Sequence, residues 1–97
     1  MWNGQSNDEV GKFSAVLSEM QEIFRKKNAD YGNAFKDMYS EYGLIYPVMH
    51  LREKLNRIES IMKNGKAEVS NESIKDSLQD MANYCVMTLI EIDDDNK

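Results

Sequence analysis

From Ile74 to Ile92, apolar side chains recur at Ile74, Leu78, Met81, Cys85, Leu89 and Ile92. Each step is three or four residues, which gathers all six on one side of an α-helix and would scatter them over both faces of a strand. The residues just before supply a start signal. Ser70 is placed as N-cap, Val69 and Ile74 stand at the N′ and N4 positions of a hydrophobic staple, and Glu72 lies in the first turn, where the helix dipole favours an acid. A helix over 71–92 is expected, and any fold of this chain must find something for that stripe to face.

The same periodicity recurs upstream. Val10, Phe13, Val16, Leu17, Met20, Ile23 and Phe24 trace one side of a helix over 8–27, capped by Asn7 or Asp8 and closed by the basic run Arg25-Lys26-Lys27. Asn28 to Asn33 reads as a connection rich in turn formers. A short helix over 33–42 follows, with Phe35, Met38, Tyr39 and Tyr42 as its apolar side and Gly43 placed to end it. Pro47 suits the first residue of the next helix, which carries Val48, Leu51, Leu55, Ile58 and Met62 to about Asn64, with Gly65 as its C′ residue. No stretch alternates as a strand would.

The expected fold is all-α: a small bundle of three main helices and one short one, completed by oligomerisation. Residues 1–7 are read as a flexible lead, 8–92 as a single helical domain and 93–97 as an acidic flexible tail. A chain of 97 residues buries only a modest core by itself, which is the reason to expect a homo-oligomer. The balance of 17 acidic against 12 basic residues argues against general nucleic-acid binding. Cys85 is the sole cysteine, so no internal disulfide forms and a reducing, cytoplasmic setting is expected. No apolar run approaches a membrane span.

Three groups of residues could carry chemistry. Glu72, Asp76 and Asp80 follow at four-residue steps on the last helix, away from the apolar stripe, and Asp80 shares its side with Asn83, Tyr84 and Met87. Carboxylates stacked this way read either as a solvated acidic face or as oxygen ligands for Mg²⁺, which takes one or two carboxylates and keeps its waters. On the preceding helix His50, Lys54 and Arg57 line one side; Arg forks onto a phosphate and Lys supplies a point charge, or both pair with nearby acids such as Glu53. In the first connection Lys27, Asn28, Asp30 and Tyr31 mix cation, amide, acid and aromatic ring, the set a nucleotide requires, although a plain helix end and turn would look the same.

Lys27-Asn28-Ala29-Asp30-Tyr31-Gly32-Asn33-Ala34-Phe35, Arg52-Glu53-Lys54-Leu55-Asn56-Arg57 and the run from Glu72 to Tyr84 together resemble the nucleotide modification associated domain 1 family, a small, largely phage-borne helical family. The resemblance runs from Phe24 to Glu91. It implies a distant likeness to all-α nucleoside triphosphate pyrophosphohydrolases of MazG type, and a phage protein working in the host cell cytosol. Those enzymes hold Mg²⁺ with Glu-x-x-Glu on one helix and Glu-x-x-Asp on the next. Here Glu53 is followed three residues on by Asn56, and the acids of the last helix stand four apart.

Two functions follow from the resemblance. In the first, the protein handles a nucleoside phosphate. Glu53, Glu72, Asp76 and Asp80 would hold Mg²⁺. Lys27, Asn28, Asp30, Tyr31, His50, Lys54, Arg57, Asn83 and Tyr84 would hold the nucleotide, with phosphoanhydride hydrolysis if the cage suffices. In the second it is a non-catalytic counter-defence protein that sequesters a linear or cyclic nucleotide signal, or that binds a host defence protein directly.

Overall fold

The structure, a computed structural model, describes the backbone of residues 3–31, 33–64 and 67–96, and the side chains of 8–28, 33–64 and 73–96. Four α-helices account for nearly all of it: α1 (Asn3–Tyr31), α2 (Ala34–Tyr42), α3 (Ile45–Asn64) and α4 (Ala67–Asp95), with no strand among the described residues. No described helix is long and apolar enough to cross a membrane. The chain divides into two units, 1–32 and 33–97.

The first unit is α1. It begins at Asn3 rather than at Asp8 and continues through Asn28–Tyr31, so the expected connection is helical up to Tyr31. Propensity explains the extension: Gln, Asn and Asp cost only tenths of a kcal/mol each inside a helix, roughly 0.7 kcal/mol at most, too little to end one without a partner elsewhere for the backbone. Gly32 lies outside the described residues. Val10, Phe13, Val16 and Leu17 are exposed.

The second unit is built on α3 and α4, with α2 packed on both. Gly43 ends α2 as its position suggests. It sits at φ +72°, where a side chain would be strained, and its N–H donates to the Tyr39 carbonyl at 2.7 Å. Helix α3 starts at Ile45, so Pro47 is the third helical residue instead of the first; its missing N–H is still one of the first-turn groups without a helical partner. Helix α4 starts at Ala67, which places Ser70 inside the helix and not at its N-cap. Ala67 and Glu68 are strong helix formers and carry the helix past the cap signal. The side chains of the Val69–Ile74 staple fall partly outside the described residues, as does Gly65.

Two contacts fix α3 antiparallel to α4: Lys54 Nζ to Asp80 Oδ2 at 3.1 Å, and the His50 ring stacked on Tyr84 at 4.5 Å and 8°. This register sets Ser77, 2% exposed, beside buried Ile58. A side chain as small as serine lets the helix backbones approach there. The seam between the helices therefore consists of Pro47, His50, Lys54 and Ile58 against Ser77, Asp80 and Tyr84, and Glu91 lies beyond it, bonded to Lys36 of α2. The apolar stripe of α4 is not in it: Leu78, Cys85 and Leu89 are exposed, while Ile74, Met81 and Ile92 are half-buried. The stripe lies about 100° round the helix from Tyr84 at about 100° per residue, beside the seam rather than in it.

Candidate functional site

The same rotation sorts the side chains of the hairpin. From Lys54, Arg57 and Glu53 turn one way round α3, and Val48, Leu55 and Met62 turn the other. From Tyr84, Asp80, Asn83 and Asp76 turn one way round α4, and Leu78, Cys85 and Leu89 turn the other. Because the helices are antiparallel, equal rotations reach the same side of the pair. The hairpin thus has a polar side and an apolar side, and eight of the residues singled out by spacing converge on the polar one or at its edge: His50, Glu53, Lys54, Arg57, Asp76, Asp80, Asn83 and Tyr84.

Lys54 and Asp80 form the centre. Their side chains are 30% and 32% exposed, so the pair is partly desolvated and its attraction is screened less than on an open surface. Arg57 and Asp76 flank it, both exposed, and Asn83 is half-buried. Among the described residues no ion pair engages Arg57, which leaves its fork open. On the far side of the pair, His50 Nδ1 lies 3.4 Å from Glu53 Oε1.

One end of the polar side is closed by aromatic rings. Tyr46 meets His50 edge-on at 4.7 Å and 85°, His50 stacks on Tyr84, and Phe35 of α2 packs at 5.5 Å on Tyr46 and 6.1 Å on Tyr84. Such pairs add about 0.5–1.5 kcal/mol each beyond the area they bury. Thr88 Oγ1 donates to the Tyr84 carbonyl at 2.6 Å, one turn back on α4. Above the rings, Lys36 Nζ donates to Glu91 Oε1 at 3.2 Å and lies 3.9 Å from Asp94. The hydrogen bond to Glu91, then the Glu91 charge, push the Lys36 pKa above the usual lysine value of 10.5.

Tyr46 and Phe35 are the parts of this wall that spacing did not single out as site residues. Tyr46 stands four residues before His50, so extending the His50–Lys54 line by one turn finds it. Phe35 comes from another helix, and nothing in its own surroundings marks it. Lys36 and Glu91 are likewise joined only by the fold.

The remaining candidates belong to the other unit or have side chains outside the described residues. Lys27 and Asn28 are exposed near the C-terminal end of α1, in the other unit. Asp30 and Tyr31 are helical there, but their side chains, like that of Glu72, fall outside the described residues. Among the described residues no three His, Cys, Asp or Glu side chains stand close enough together to hold a metal ion. What the polar side offers by itself is two cations, three carboxylates and an amide beside a rigid aromatic wall, a set suited to a cation-bridged anion with a planar group attached.

The model of the nucleotide modification associated domain 1 family matches residues 27–92, which is most of the chain and all of the α2–α4 unit up to Ile92. The chain belongs to that family. No curated protein and no solved structure matches it.

Proposed function

We propose that this member of the nucleotide modification associated domain 1 family binds a nucleoside phosphate on the polar side of its α3–α4 hairpin, with Lys54 and Arg57 on the phosphate. The Lys54–Asp80 pair carries this reading. A phosphate takes the place of the Asp80 carboxylate on Lys54 with little loss, because one oxyanion replaces another. Arg57, one turn along, adds a bidentate fork. The carboxylate so released faces Asp76 on the next turn. A Mg²⁺ ion arriving with the nucleotide needs only one or two protein carboxylates, the rest of its shell being phosphate oxygens and water. The Tyr46 and His50 rings, a turn or two from Lys54 on the same helix, supply apolar surface for the base. Lys27, Asn28, Asp30 and Tyr31 are not needed by this reading.

Incubating the whole chain with Mg²⁺ and a panel of linear and cyclic nucleotides, and measuring bound ligand and product together, tests it. Arg57→Ala is the cleaner probe, since Arg57 is exposed and its loss breaks no ion pair among the described residues. Affinity should fall roughly tenfold to a hundredfold, the range for one charge-assisted contact. Turnover lost in Asp80→Ala makes the protein a phosphoanhydride hydrolase. Tight binding without turnover makes it a sequestering protein. Binding of no nucleotide in the panel would sink the proposal.

A further inference from the structure

The His50 ring is held by three neighbours. It lies on Tyr84 at 4.5 Å and 8°, it meets Tyr46 at 4.7 Å and 85°, and its Nδ1 lies 3.4 Å from Glu53 Oε1. A carboxylate only accepts, so in the neutral imidazole it draws the single ring proton to Nδ1 and leaves Nε2 as a lone-pair acceptor. Turning the ring over would set two acceptors against each other. Among the described residues nothing donates to Nε2. The side chain is 28% exposed, so a ligand can reach it. The three contacts thus hold an acceptor in a fixed direction and give it no partner.

We propose that His50 Nε2 accepts a hydrogen bond from a sugar hydroxyl of the bound nucleoside phosphate, with Glu53 as the residue that positions the ring. The inference rests on the nucleotide reading above and names the part of the ligand met at His50. Along α3, Tyr46, His50, Lys54 and Arg57 follow at steps of four, four and three residues, about 6, 6 and 4.5 Å of rise, on one side of the helix. They present, in order, an aromatic ring, an acceptor, an ammonium and a guanidinium. A nucleoside phosphate runs in the same order, from planar base through hydroxyl-bearing sugar to phosphate. With the phosphate on Lys54 and Arg57, the group one turn back at His50 is the sugar, and the base reaches Tyr46. The donor that Nε2 lacks selects the same group. An ionised phosphate offers acceptors only, whereas a hydroxyl donates.

Binding of ribo-, deoxyribo- and dideoxyribonucleoside triphosphates to the whole chain, with Mg²⁺ present, tests it. The three share base and phosphates and lose the sugar hydroxyls one at a time. The dideoxy form should bind about tenfold more weakly than the ribo form, the cost of one hydrogen bond whose acceptor is left unmet. The deoxy form should match one or the other, according to which hydroxyl is read. His50→Phe keeps a ring on Tyr84 but no ring nitrogen, and it should bring the three to one affinity while helicity by circular dichroism is kept. Glu53→Ala should narrow the spread, and Glu53→Gln, whose carbonyl oxygen still accepts from Nδ1–H, should restore it. Three forms that bind the parent equally well overturn this inference and leave the phosphate reading standing. A spread that survives His50→Phe does the same. Binding of none of the three overturns both.

Discussion

The seam between α3 and α4 and the apolar side next to it use opposite chemistries. Besides Pro47 and Ile58, the seam is closed by a serine, a lysine–aspartate pair and stacked rings. The apolar side holds the leucines, and it is open. Apolar burial is non-directional, so a leucine stripe accepts any apolar partner in nearly any register. A Lys54–Asp80 pair and a His50–Tyr84 stack accept one register only, because a slip of one turn separates charges and rings that are already partly desolvated. The seam therefore fixes how the hairpin folds, and the exposed leucines take no part in it.

The largest effect expected within this comparison is at Tyr84. Its ring lies against both His50 and Phe35, so it ties α4 to α3 and to α2. Tyr84→Ala should cost about 3 kcal/mol, near the lower end for truncating a large core aromatic because the site is only half-buried. Thermal unfolding by circular dichroism reads it, and a domain of this size loses roughly 4–8 °C per kcal/mol. Leu89→Ala, on the open side, should cost the monomer far less. If the two cost the same, the seam is not what holds the hairpin.

Ser77→Leu comes next. Three carbons must be fitted where serine is 2% exposed, and the helices have to part or Ile58 has to leave its rotamer. A loss of about 1–3 kcal/mol is expected, although a more apolar residue has been added and helix propensity has improved. A variant as stable as the parent would show that the helices do not meet closely at this point.

How much of this the chain discloses in advance differs along its length. The four helices are legible, because their periodicity is local and each spans several turns. So is the end of α2, where only Gly43 tolerates φ +72°. Their limits are less so: α1 and α4 run past their expected ends at both termini, since cap signals such as Ser70 are weak against a run of helix formers. Legible too is the polar group itself, since His50, Lys54 and Arg57 on one helix and Asp76, Asp80 and Asn83 on the other share sides by spacing alone. What spacing could not decide is which side of α4 faces α3. The two alternatives are about 100° apart, hydrophobicity favours the leucine side, and the polar pairs that decide otherwise exist only once both helices are present. Phe35 and Lys36 are illegible for the same reason, as their partners are distant in sequence.

Breaking the Lys54–Asp80 pair probes the seam more gently. With both side chains about one-third exposed, the coupling should fall between a surface pair, near zero to 1 kcal/mol, and a buried one. About 1 kcal/mol is expected from a double-mutant cycle of Lys54→Ala and Asp80→Ala, each single variant costing more than the pair is worth because it leaves the other charge unpaired. Raising the salt concentration should reduce that coupling only partly. A coupling of zero would make the pair incidental to the register and leave it to the rings.

The smallest effect is at the other end of α4, where Lys36 holds α2 to Glu91 and Asp94. Lys36 itself is largely solvated, so its contribution is slight, but its direction with pH is set. Its pKa is raised in the folded protein, first by the hydrogen bond to Glu91 and then by that carboxylate's charge. The folded state thus holds the proton more tightly than the unfolded one, and the tie is complete below the ordinary lysine value of 10.5. As pH rises through the raised value the ammonium is lost, and Glu91, 11% exposed at its side chain, keeps a charge with no cation beside it. Other lysines and the tyrosines also titrate there, so the informative quantity is the difference in melting temperature between the parent and Lys36→Met. That difference should favour the parent and hold constant from neutral pH to about pH 10, then shrink above it. Curves that stay parallel to the alkaline end would mean that α2 is held by Phe35 among the rings alone.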